Sequence, residues 1–142
     1  MKLFQIEEPE GTPLSADGPG ASVGIEIAAE SAAVAVALGG NAEILPGADG
    51  ARRLARIQGQ GLVELLLGLR VRAEKQLARP VTHAVIATDT GKAEAALEDA
   101  ADAAGISILR LVKRADAAAR GDGPDASALG AAKLAEDLAP QG

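Results

Sequence analysis

Few residues in this chain are of types that do chemistry. There is one histidine, His83, and there are no cysteines. Thiol nucleophiles, disulfides and thiolate metal sites are therefore excluded. A catalytic histidine needs a nucleophile or an orienting carboxylate, and spacing identifies neither for His83, which reads as a surface residue at the start of a strand. Glu26 is a carboxylate inside the apolar run ASVGIEI. As a metal ligand it needs a second acidic residue, which the pattern does not place. It reads instead as a strand-end charge paired with Arg114 across neighbouring strands. Gly39-Gly40 and Gly59-Gln60-Gly61 are turn sequences and carry no phosphate-loop Gly-Lys-Ser/Thr signature. Thr88-Asp89-Thr90-Gly91-Lys92 sits at a strand-to-helix junction, where backbone amides can hold an anion. Its glycine spacing is not that of a phosphate loop, so it reads as a helix N-cap. Arg52, Arg53 and Arg56 form a basic cluster, either a solvated face or a dock for an acidic partner.

The elements that carry these residues follow from periodicity. Residues 1–6 (MKLFQI) form a short strand or arm, and residues 7–20, rich in Pro and Gly, a linker. In residues 21–27, Val23, Ile25 and Ile27 alternate as in a strand, and Val34, Val36 and Leu38 do the same in residues 32–38. Gly39-Gly40-Asn41 joins the second strand to a third at residues 42–46, a hairpin signal. Residues 51–57 form a basic, helical stretch. Residues 62–79 are helical, with Leu62, Leu65, Leu66, Leu69, Ala73 and Leu77 on one face and Pro80 as the stop. Val63, Leu67 and Val71 lie beside that stripe, making the apolar surface wider than a one-sided helix needs. Residues 82–88 form a near-continuous apolar run, the pattern of a buried parallel strand. A helix over 92–104 capped by Gly105, a strand over 106–112, a short helix over 116–120, a linker from Gly121 to Pro124 and a last helix over 127–138 complete the chain.

Two helices separate strands that are then parallel, joined by right-handed crossovers, after three antiparallel strands. The expectation is an α/β fold with a mixed five-stranded sheet of order 3-2-1-4-5 and helices on both faces, the ribonuclease-H-like architecture. Three segments are expected: an arm and linker (1–20), the domain proper (21–121), and a linker with a short C-terminal helix (122–142).

Bulk properties narrow the function. At 142 residues, 48% apolar and 24% charged, the chain supports one real core. A single Phe with no Trp or Tyr leaves no aromatic platform for stacking nucleic-acid bases. A formal charge of -6 repels a phosphate backbone. No run approaches the roughly 18 apolar residues of a membrane span, and MKLFQIEEPEG lacks the long apolar stretch of a signal peptide. A cytoplasmic location is the resulting expectation, with no nucleic-acid or membrane partner.

Several segments resemble the N-terminal lobe of the DnaK-type heat-shock chaperone ATPase, of the actin/hexokinase-like superfamily. That family opens with I-G-I-D-L-G-T-T-N-S. Val23-Gly24-Ile25-Glu26-Ile27-Ala28-Ala29-Glu30-Ser31 is similar to it without a gap. Val34-Ala35-Val36, Gly39-Gly40 and Ile44-Leu45-Pro46-Gly47 follow in register. Ala73-Glu74 through Pro80-Val81-Thr82-His83-Ala84-Val85-Ile86 resembles the family's helix and V-T-x-A-V-I-T strand. AADAAGISILR (100–110) resembles A-G-x-I-A-G-L-x-V-L-R, and Ala117-Ala118-Ala119 the alanines after N-E-P-T. The resemblance covers roughly residues 21–121.

The departures are as informative. By resemblance, the family's metal-side Asp is Glu26 here, its phosphate-loop Gly is Ala28, and its two Thr are Ala29 and Glu30. Phosphate approach needs bare backbone; the substitutions add methyls and a negative charge. The Glu of N-E-P-T aligns with Arg114, a reversed charge. The insertion carrying the family's catalytic Lys is largely missing, with about 15 residues between Pro46 and Leu62. Residues 121–130 read GDGPDASALG where the second phosphate loop would stand.

The resemblance therefore implies a pseudo-ATPase: no enzyme activity, no cofactor, no catalytic or metal residue. The expected role is that of a chaperone-like accessory or scaffold protein, acting in assembly or maturation of a partner and as a homodimer. Candidate contact residues are Val63, Leu67, Val71, Arg52, Arg53 and Arg56. The alternative is a nucleotide- or ligand-binding module completed by another chain. A ribonuclease-H-type hydrolase needs clustered carboxylates, of which only Glu26 is placed.

Overall fold

A computed structural model describes residues 20–89 and 94–139. The fold is α/β, with a mixed sheet covered by helices on both faces. The strands are β1 (Ala21–Ile27), β2 (Ser31–Leu38), β3 (Asn41–Ile44), β4 (Leu54–Ala55), β5 (Val81–Thr88) and β6 (Ser107–Val112). The helices are α1 (Leu62–Leu77), α2 (Glu94–Ala103), α3 (Arg114–Ala118) and α4 (Ala126–Leu138). The sheet runs β3-β2-β1-β5-β6, with β4 pairing β2 off that path. β1, β2 and β3 are antiparallel neighbours, whereas β5 lies parallel to both β1 and β6.

The sheet thus has six strands, not the expected five. The additional one falls in the stretch expected to be helical, residues 51–57. There Ser31 pairs with Ala55 and Ala32 with Leu54. The physical reason is tertiary: sheet pairing at Leu54 and side-chain bonds from Arg52, Arg53 and Arg56 outweigh local helix preference. The arm expected at residues 1–6 and most of the linker at 7–20 lie outside the described residues, as do Thr90, Gly91 and Lys92 of the expected N-cap segment.

The two faces of the sheet differ in side-chain size. Val23, Ile25, Ile27, Val34 and Ile86 pack with Leu65, Leu66, Leu69 and Ala73 of α1 and with Leu97 of α2. Ala33, Ala35 and Ala37 on the other face meet Ala128 and Ala132 of α4, and Val85 and Ala87 meet Ala131, Leu134 and Ala135. Small residues on both sides let α4 approach closely. At Gly24 the approach is closest: a methyl there would overlap the backbone of Ala131 and Ala132. Both faces of β1 are covered, so Val23 to Ile27 are buried without a break.

This placement corrects the expected boundary at residue 121. The helix after Pro124 is not an appendage; α4 lies on the sheet and completes its second layer. Its Glu136 also reaches the β2–β3 hairpin. Gly39 and Gly40 take φ of 62° and 85°, the left-handed pair a two-residue hairpin turn requires. Their amides donate to the Glu136 carboxylate at 2.5 and 2.9 Å.

α1 ends before Pro80, at a left-handed Ala78 (φ 55°) whose amide donates to the Glu74 carbonyl at 2.8 Å. No helix among the described residues is long and apolar enough to cross a membrane.

Candidate functional site

In open α/β sheets ligands bind beyond the carboxyl ends of the parallel strands. Here that end of β1 and β5 carries Glu26 and Asp89. Successive strand residues face opposite sides, so Glu26 shares the α4 side of β1 with Gly24. It is only 3% exposed. A buried carboxylate must be paired, and Glu26 has two arginines. Arg53 Nη1 donates to its Oε1 and Arg114 Nε to its Oε2, both at 2.8 Å.

The network extends in both directions. Arg114 Nη1 donates to Asp89 Oδ2 at 2.8 Å. The same Arg53 Nη1 donates to Asp125 Oδ1 at 2.9 Å, and Arg53 Nε to Ser31 Oγ at 2.7 Å. Arg52 grips Asp125 Oδ2 with Nε (3.0 Å) and Nη2 (2.8 Å). Three carboxylates, Asp89, Glu26 and Asp125, thus alternate with three guanidinium groups, Arg114, Arg53 and Arg52. The formal charges cancel.

Local structure places each member. Arg114 opens α3 just after β6, which brings it over the ends of β1 and β5. Ser127 Oγ of α4 donates to the Arg114 carbonyl at 3.0 Å, tying α3 to α4. Asp125 occupies the N-cap of α4, but its carboxylate does not cap the helix; it turns toward the arginines. Arg52 and Arg53 come from the β4 segment.

The charge states follow from these contacts. Burial alone would raise the Asp125 pKa, but hydrogen bonds from Arg52 and Arg53, and their charges, outweigh it and hold the carboxyl below its usual range. Burial likewise opposes the Arg53 charge, yet bonding to Glu26 and then Asp125 pushes its pKa above the ordinary arginine value. Arg114 is raised by its bond to Asp89 and then by Glu26.

Ala28, Ala29 and Glu30 form the β1–β2 turn. The Ala28 amide donates to the Ser31 carbonyl at 2.8 Å. Arg56 covers the turn: its amide donates to the Glu30 carbonyl at 3.0 Å and its Nη1 to the Ala28 carbonyl at 2.9 Å. Arg52, Arg53 and Arg56, read from sequence as either a solvated face or a dock for an acidic partner, are engaged by the chain's own acceptors. Arg52 keeps most of its side chain in solvent, 62% exposed.

Glu26 and Arg114 are paired, though Arg114 reaches over from α3 and not from a neighbouring strand. Sequence reasoning missed Asp125 and Arg53 as partners in this cluster. An Asp just ahead of the helical run ASALG was the one available signal for the first; nothing in local pattern pointed to the second. His83 lies toward the other end of β5, half-buried, with Nδ1 2.7 Å from Thr82 Oγ1. On α1, Leu67 and Val71 are exposed, whereas Val63 packs against the core. No group of three or more His, Asp or Glu among the described residues is placed to hold a metal ion.

No protein-family model and no curated protein matches the chain.

Proposed function

We propose that the chain is a non-catalytic, chaperone-like accessory or scaffold module, with a ribonuclease-H-like lobe whose phosphate site has been converted into a structural joint. The observation that supports this reading is the double pairing of Glu26. A carboxylate serving a metal or an attacking water must be open to them; both oxygens of Glu26 are taken by arginines at 2.8 Å. The β1–β2 turn adds to the case. Its carbonyls are engaged by Arg56, and Ala29 and Glu30 present a methyl and a carboxylate where phosphate needs amide and hydroxyl donors.

The ribonuclease-H-like assignment draws support from three antiparallel strands followed by two parallel ones reached through helices, with β1 central. A module of this kind acts by binding another protein, in its assembly or maturation, from the cytoplasm. Isothermal calorimetry with ATP and magnesium tests the proposal. The expected result is no binding heat up to millimolar nucleotide; micromolar affinity overturns it in favour of a nucleotide-binding module.

A further inference from the structure

We infer that the outer face of α1 docks against the same face of a second copy of this chain, the two helices antiparallel about a two-fold axis. This rests on the reading of the protein as a binding module and names its partner. The face is apolar at its centre. Leu67 is 40% and Val71 47% exposed, among the few large apolar side chains left open on the described surface. They stand one helical turn apart, about 6 Å along the axis.

What selects the occupant is charge. Glu64 lies one turn before Leu67 and Lys75 one turn after Val71, both exposed on the same side of the helix. Among the described residues neither makes an ion pair. Glu64 uses Oε1 to accept the Gly61 amide at 3.2 Å, which leaves its Oε2 and its charge available. The neighbouring Arg70 and Glu74 neutralise each other at 3.1 Å.

The order is thus acid, apolar, apolar, base, and it is self-complementary when reversed. A two-fold axis midway between Leu67 and Val71 sets each Leu67 against the partner's Val71. It also sets each Glu64 beside the partner's Lys75, within about 1 Å of the same centre. Parallel packing would set Glu64 against Glu64 and Lys75 against Lys75. An isologous contact makes every pair twice, so the charge pattern acts twice. Two half-exposed side chains per protomer fall well short of the roughly 800 Å² per partner of a standard interface. The dimer is accordingly weak, populated at high micromolar concentration, and weaker still in high salt.

Sedimentation equilibrium of the full chain from micromolar to millimolar concentration tests this. A reversible monomer–dimer equilibrium is expected. Glu64→Lys and Lys75→Glu should each weaken it roughly tenfold, because two attractive pairs become repulsive. The double swap should restore it, and Leu67→Glu should abolish it; circular dichroism checks that α1 stays folded in each variant, because Glu64→Lys also loses the bond to the Gly61 amide. A chain that stays monomeric throughout overturns the inference, as does a dimer indifferent to the single swaps. Calorimetry separates the two readings: a monomer that binds no ATP removes the dimer alone, whereas micromolar ATP affinity removes the binding-module reading whatever the mass.

Discussion

Arg53 is the hub of the carboxylate network, and replacing it with methionine tests the network most severely. The substitution keeps much of the aliphatic stem and removes three bonds: to Glu26 at 2.8 Å, Asp125 at 2.9 Å and Ser31 at 2.7 Å. Glu26 and Asp125 are 3% and 6% exposed, so neither regains much water. Breaking a buried ion pair costs about 3–5 kcal/mol when the remaining charge is left alone. Here Glu26 keeps Arg114 and Asp125 keeps Arg52, which places the loss near the lower end, about 3 kcal/mol. That is a large share of the roughly 5–15 kcal/mol that holds a domain folded. Urea unfolding followed by circular dichroism reads it as a lower midpoint at unchanged slope. A cycle with Glu26→Gln should give a coupling above about 1 kcal/mol. A loss under about 0.5 kcal/mol, the range of an ordinary surface change, would mean that the network is solvated and not a joint.

Three further substitutions probe the packing of the fold and the same network. Gly24→Val should destabilise the domain by at least about 3 kcal/mol, measured in the same urea assay, because its side chain meets the α4 backbone and overpacking of this kind costs 1–3 kcal/mol or more. Ala78→Gly should stabilise it by about 1 kcal/mol, read as a higher melting temperature, because Ala78 holds a left-handed φ of 55° that glycine adopts without a Cβ penalty. The Asp125 carboxyl is held below its usual range in the folded protein. Its unfolded counterpart, with a pKa of about 3.9, therefore takes up a proton first as pH falls. Stability from this group is complete above that value and is lost as pH falls through the lower folded pKa. In urea titrations at a series of acid pH values, Asp125→Asn should start less stable and show a shallower acid decline.

What the sequence made legible was local. Val23-x-Ile25-x-Ile27 and Val34-x-Val36 announce strands because a strand alternates its faces. Gly39-Gly40 announces the hairpin because both positions need positive φ. Leu65, Leu66, Leu69 and Ala73 mark the buried side of α1 by helical spacing. What stayed hidden depends on distant partners. The basic stretch around Arg53 looks helical in isolation, yet Leu54 pairs with Ala32 and Arg53 bonds to residues 27 and 72 positions away. α4 looks like an appendage because its buried face is mostly alanine and glycine, a weak apolar signal. Only against Ala33, Ala35, Ala37 and Gly24 does that smallness become close packing. Of the network, the pairing of Glu26 with Arg114 was anticipated from complementary charge. Asp125 was not, because its partners Arg52 and Arg53 lie 73 and 72 positions away in the sequence.

The proposed function requires the end of β1 to be a sealed ionic joint and not a vacant phosphate site. Amide chemical shifts of the full chain, recorded by nuclear magnetic resonance during addition of ATP with magnesium, test it residue by residue. A sealed joint gives no saturable change at Glu26 to Ser31, Arg53 or Arg114 up to millimolar nucleotide. Saturable shifts centred on those amides, fitting a micromolar dissociation constant, would contradict it.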